Sequence, residues 1–249
     1  MRFARGLVRF AVVALPFVAG AFVVRGGVGV GSAILAAGLV VSLPALAVAQ
    51  VGAVTPDDID AMSIYLSSAL LIAFLGTLSL MLGLSEIGAT GMGLVVPDGG
   101  ELLLWSGVAT LAGVIVLVVG RVVSGLAGWR ETELVRLLMP SNRAERSGFV
   151  LVSVTAGIGE ELTYRAFLLG VLATAFGAPW TAAALTSIAF GLLHAYQGPL
   201  GMVRTGSIGF VLAAIVLTTG SVWPVVVGHV MINLVAGLGL GEWLLDGED

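Results

Sequence analysis

Apolar residues run along this chain in blocks of about 17 to 25, the length a helix needs to cross the hydrocarbon core of a bilayer. Eight blocks are read, at 7–24, 29–50, 62–84, 102–123, 148–176, 180–197, 200–219 and 222–243. Their borders fall at turn and charge signals such as Thr55-Pro56-Asp57-Asp58, Pro97-Asp98-Gly99-Gly100, Gly177-Ala178-Pro179 and Gly198-Pro199. The first block follows Arg2, Arg5 and Arg9 in the manner of a signal peptide, but it meets Arg25 and Gly26 and further spans follow at once. It is read as a retained first span. The predicted fold is all-α, a polytopic transmembrane helical bundle of about eight spans.

Composition agrees with that pattern. The chain has 249 residues, 58% hydrophobic and 10% charged, with mean hydropathy +1.10, whereas soluble domains carry roughly 25% charged residues. Cysteine is absent, which removes disulfides, thiolate nucleophiles and sulfur-ligated metal centres. All eleven basic residues are arginine, and acidic residues gather at Asp57, Asp58 and Asp60 and in the tail at Asp246, Glu248 and Asp249. This is the bias of a GC-rich genome, so a prokaryotic plasma membrane is the expected location. Arginines near span ends stay cytoplasmic. Arg2, Arg5 and Arg9, and after four crossings Arg121, Arg130, Arg136, Arg143 and Arg146, put both termini on the cytoplasmic side. The segment holding the last of these also carries Trp129, Leu134, Leu137 and Met139, which suits a short interfacial helix as well as a solvated loop. Nothing resembles a phosphate-binding or dinucleotide pattern, and no nucleic-acid partner is expected. The many glycines within spans read as close helix packing.

Against this apolar background the sequence Gly159-Glu160-Glu161-Leu162-Thr163-Tyr164-Arg165 stands out. Each charge at a bilayer centre costs at least ~2.5 to 3.5 kcal/mol, so adjacent carboxylates need partners, water or a task. Glu161 and Arg165 share a helix face and can pair; Glu160 points about 100° away, toward Tyr164. Taken by itself the cluster also suits a structural ion pair. The chain's two histidines lie in later spans, each with a partner at helical spacing: Phe190 before His194, and Asn233 after His229. At 1.5 Å of rise per residue, Glu160 and His229 fall roughly 18 and 20 Å from the cytoplasmic side. His194 falls only about 5 Å from the end of its span and joins them only if its helix starts deeper or tilts.

Such a group suits peptide hydrolysis. A glutamate in low dielectric can act as general base on a water that a histidine helps orient, while the second histidine and the asparagine amide donate to the oxyanion. The same Glu160, His194 and His229 also make a zinc ligand set with one position left for water. The residues leave both mechanisms open, and zinc is the one possible cofactor.

The order Glu-Glu-x-x-x-Arg, Phe-x-x-x-His, His-x-x-x-Asn, each on its own span within about 147–240, resembles the CPBP family of intramembrane proteases, also called the CAAX-processing and bacteriocin-immunity family. The resemblance implies an all-helical membrane endopeptidase. Its substrate would be a membrane-anchored or lipid-modified protein, cut near the C-terminus. It further implies that Glu160 with His194 activates water, that His229 with Asn233 stabilises the oxyanion, and that Glu161 and Arg165 support them. The expected organisation is an N-terminal four-span region at 1–124, a cytoplasmic or interfacial linker at 125–146, and a catalytic four-span core at 147–243. Two other classes fit the same features. One is a non-catalytic scaffold or immunity protein; the other is a proton or cation transporter, against which the lack of an internal repeat counts.

Overall fold

Polar caps mark where the long helices begin, because the first backbone N–H groups of a helix need acceptors. In the computed structural model, which describes residues 2–51, 59–128 and 131–245, Asp60 accepts from Ser63 N, Asp98 from Gly100 N and Glu101 N, and Asn142 from Glu145 N. Asp57, Asp58, Trp129, Arg130 and the acidic tail at 246–249 lie outside the described residues. The elements that follow are α1 (Arg2–Arg25), α2 (Val30–Ala37), a π-helical stretch (Gly38–Ser42) and α3 (Leu43–Ala49), then α4 (Ala61–Glu86), α5 (Gly88–Gly91), α6 (Gly99–Ala127) and α7 (Glu133–Leu137). The C-terminal part begins with α8 (Arg143–Glu161), which runs through a π-helical stretch (Leu162–Leu168) into α9 (Leu169–Phe176). Next come α10 (Pro179–Leu193), a single 3₁₀ turn (Ala195–Gln197), α11 (Gly198–Thr219), α12 (Trp223–Leu234), a π-helical stretch (Val235–Gly239) and α13 (Gly241–Leu245).

Four of these segments, Val30–Ala49, Ala61–Glu86, Gly99–Ala127 and Ala195–Thr219, are long and apolar enough to cross a membrane. Ala14–Arg25, Pro179–Leu193 and Trp223–Gly239 are shorter apolar helices, and 143–176 is one helical run that carries charge. The outward faces are apolar: Phe17, Leu70, Leu103 and Leu126 are each more than 70% exposed. With most backbone hydrogen bonds closed within helices and such side chains outside, this is an all-α integral membrane bundle.

The run 162–172 lies at the centre, with Ala166, Phe167, Leu168 and Val171 fully buried. Helix α4 packs along α8, α8 along α12, α12 along α6, and α10 along α11. Glycine permits the closest of these approaches. A Cβ on Gly76 of α4 would meet the backbone of Gly159 at 2.8 Å, and one on Gly157 would meet Val230 N of α12 at 3.0 Å. Both contacts fall within one turn of the paired glutamates. The segment after the fourth span contains a short helix, α7, capped by Thr132.

The sixth span differs from expectation. Read as 180–197, it ends as α-helix at Leu193, and the chain turns through Ala195–Gln197 before α11 begins at Gly198. Fifteen residues of α10 reach about 22 Å, well short of a ~30 Å core. Within the turn Ala195 is buried, whereas Tyr196 is 38% exposed.

Candidate active site

Glu161 is fully buried, and its Oε1 accepts from Arg165 Nη1 at 2.8 Å and from His229 Nδ1 at 2.6 Å. A carboxylate only accepts, so Nδ1 of His229 carries the hydrogen and Nε2 is turned outward. Nε2 lies 3.7 Å from Oε2 of Glu160. The two neighbouring glutamates are therefore used differently. Glu161 is locked between a guanidinium and an imidazole. Glu160, with its side chain 18% exposed, lines a cavity of about 480 Å³.

His194, His229 and Asn233 line the same cavity. Nδ1 of His194 lies 2.8 Å from the carbonyl oxygen of Phe190, which again assigns the hydrogen to Nδ1 and leaves Nε2 as an acceptor. Phe190 holds the group together. Its ring centroid is 4.8 Å from that of His194, 5.2 Å from Tyr164 and 6.2 Å from His229, and the Arg165 guanidinium stands 4.3 Å over it. The last contact is a cation–π arrangement that covers the inner flank of the ion pair. The expected pairing of Glu161 with Arg165 is present. No hydrogen bond joins Glu160 to Tyr164 among the described residues: the π-helical stretch starts at Leu162, and its wider turn carries Tyr164 off the four-residue line.

The zinc alternative asks for three donors converging on one point about 2 Å from each. Among the described residues no group of three or more His, Asp or Glu side chains is arranged to hold a metal ion. Glu161 is already committed to Arg165 and His229. As arranged, Glu160, His194 and His229 do not form a metal cage, so no step below passes through one.

Sequence reasoning missed the polar wall near the cavity's mouth. Tyr196, Gln197, Arg204 and Thr205 line it, and Arg204 forks onto Glu131 with Nη1 to Oε1 at 2.5 Å and Nη2 to Oε2 at 3.3 Å. The signal for Arg204 was available, since an arginine inside a predicted span is as costly as the glutamates that drew attention. Tyr65 of α4 also donates to the carbonyl of Leu138 at 2.7 Å, which fixes the chain after α7 along the cavity.

Comparison with known proteins finds one family model that matches part of the chain. Residues 143–235 match the Rce1-like family. Its description is type II CAAX prenyl endopeptidase, and the matched stretch holds every site residue from Glu160 to Asn233. No curated protein and no solved structure matches the chain. The match spans little more than a third of the chain, and what this C-terminal region is similar to is a membrane-embedded protease of CAAX type, for which a bilayer and a protein substrate are the implied partners.

Proposed function

We propose that the chain is a glutamate-type intramembrane endopeptidase acting on a membrane-anchored or lipid-modified protein near its C-terminus. One observation supports this reading above the others: a carboxylate, two imidazoles and an amide share the wall of a single cavity, while the neighbouring carboxylate is withdrawn into an ion pair. Glu160 takes a proton from a water whose other hydrogen is accepted by Nε2 of His194. The water oxygen attacks the scissile carbonyl carbon. His229, when doubly protonated, donates through Nε2 together with the Asn233 amide to the resulting oxyanion. In that state the charges of Glu160, Glu161, Arg165 and His229 sum to zero, which keeps the buried group balanced. The proton on Glu160 passes to the amide nitrogen as the C–N bond breaks, giving an amine and a carboxylic acid whose remaining proton is that of the attacking water.

In the same proposal, residues 147–243 form the catalytic core, 1–124 an N-terminal four-span region and 125–146 a cytoplasmic or interfacial linker, in a prokaryotic plasma membrane with both termini inside. The apolar lining from Ile72, Leu117, Val152, Ile208 and Ile232 suits a lipid-bearing or membrane-spanning segment. The decisive experiment reconstitutes the purified protein in liposomes with a lipid-modified peptide in ¹⁸O water, with and without chelator. The expected product carries one ¹⁸O in its new carboxylate at either condition. Activity lost to chelator and restored by zinc would overturn the glutamate mechanism; no product with any membrane peptide would favour the scaffold reading.

A further inference from the structure

The stretch before α7 lies outside the residues matched by the family, yet it reaches the turn that carries His194. Thr132 Oγ1 donates to the carbonyl of Tyr196 at 2.7 Å, and its methyl group faces Gly198. Next to it, the Glu131 carboxylate holds both outer nitrogens of Arg204, in a pair whose side chains are 7% and 9% exposed. Arg204 Nη2 and Thr205 Oγ1 in turn donate to Oε1 of Gln197 at 3.4 and 3.1 Å, and Gln197 Nε2 donates to the Tyr196 hydroxyl at 3.1 Å. Gln197 N closes the turn on the carbonyl of His194 at 2.9 Å.

His194 has need of such support. It ends α10, where the regular hydrogen-bond ladder stops and fraying is easiest. Its ring is tied by one bond to Phe190 O and by contacts with the Phe190 and Tyr196 rings. The Glu131–Arg204 pair adds no net charge to the cavity, and its forked geometry is rigid, so what it contributes is position rather than attraction for a charged substrate. We infer that Glu131 and Thr132 are positioning residues: they clamp the Ala195–Gln197 turn, fix the aim of the His194 ring, and so set the rate of the hydrolytic step. This inference rests on the peptidase reading of the site.

Thr132→Val keeps the shape and removes the hydroxyl, whereas Thr132→Ser keeps the hydroxyl. A displaced reacting group loses up to about a hundredfold in rate, so Thr132→Val is expected to lower kcat on the order of tenfold with KM nearly unchanged, and Thr132→Ser to recover most of it. Glu131→Gln should follow Thr132→Val. A second measurement needs no activity: with only two histidines in the chain, ¹⁵N-histidine spectra should show His194 ring signals shifted or broadened in Thr132→Val, with those of His229 unmoved. A rise in KM at constant kcat, equal behaviour of the Val and Ser variants, or unchanged His194 signals would each overturn the clamp. If Glu131→Gln fails to fold, the Thr132 pair still decides. If the wild type cleaves nothing, the peptidase reading fails, and the spectra still report whether the clamp holds His194.

Discussion

Helices α6 and α8 are both long and both central to the bundle, but they bury different surfaces. The face of α6 turned inward reads Ser106, Ala109, Gly113, Leu117, Gly120 and Ser124, small residues apart from Leu117, at intervals of three and four. Helix α8 begins in the same way, with Gly148, Ser153, Ala156 and Gly157, and then buries Glu161. The difference shows what the small residues are for in each case. In α6 they seat a wall. In α8 the contact of Gly157 with Val230 lets α12 come so near that His229 reaches Glu161 across the interface. Close packing is a stability device in one helix and the condition for the site in the other.

The strongest test separates the two neighbouring carboxylates of α8. Glu160→Gln should lower the cleavage rate by about 10² to 10⁴ while leaving the unfolding midpoint of the protein unchanged in detergent. Glu161→Gln should act on both properties. It strips the buried Arg165 of its counter-charge, and breaking a buried pair from one side costs roughly 3 to 5 kcal/mol, readable by denaturant titration. Equal effects of the two substitutions on stability would remove the distinction between a working and an anchoring glutamate.

A milder pair sharpens the contrast between the helices. Gly157→Val presses against Val230, including its backbone N, and Gly113→Val presses against the Ile232 side chain. Overpacking of this kind costs typically about 1 to 3 kcal/mol, and both variants should lose stability of that order. Activity per folded molecule should fall most in Gly157→Val, where His229 is pushed from Glu161, and less in Gly113→Val, which displaces the lining side chain of Ile232. Equal loss of activity per folded molecule in both would mean that the wall and the site are not separable.

How much of this could be read from residues alone depends on the range of the interaction. The apolar blocks and the Glu161–Arg165 pair were legible because they are local: length and a spacing of four carry the information. The gathering of Glu160, His194, His229 and Asn233 on one cavity was legible as a pattern of motifs, without its geometry. Hidden were the π-helical turns, which directly follow Glu161 and lie one residue beyond Leu234, and which change the faces that ideal α spacing assigns. The early stop of α10 was hidden as well, since Ala195-Tyr196-Gln197 contains no residue that forbids a helix. Glu131 and Arg204 sit 73 positions apart, and Thr132 meets a backbone carbonyl 64 positions away. Contacts of that range follow from how the bundle closes.

The smallest expected effect concerns the start of α8, where titration replaces mutation as the main variable. Glu145 accepts from Ser141 N and Ser141 Oγ, both at 2.7 Å, and these bonds hold its carboxyl below the ordinary value of 4.5. A carboxylate with a depressed folded-state pKa adds stability that is complete above the unfolded value and disappears as pH falls through the folded one. Amide exchange at residues 143–147 should therefore be slower in wild type than in Glu145→Gln above pH 4.5, and the difference should shrink steadily under more acid conditions. Helix α6 provides the control, because its cap at Asp98 is unchanged in both proteins and the exchange of its first turn should be identical in them at each pH. A difference that persists undiminished in acid would show that Glu145 steadies α8 through its shape and not through its charge.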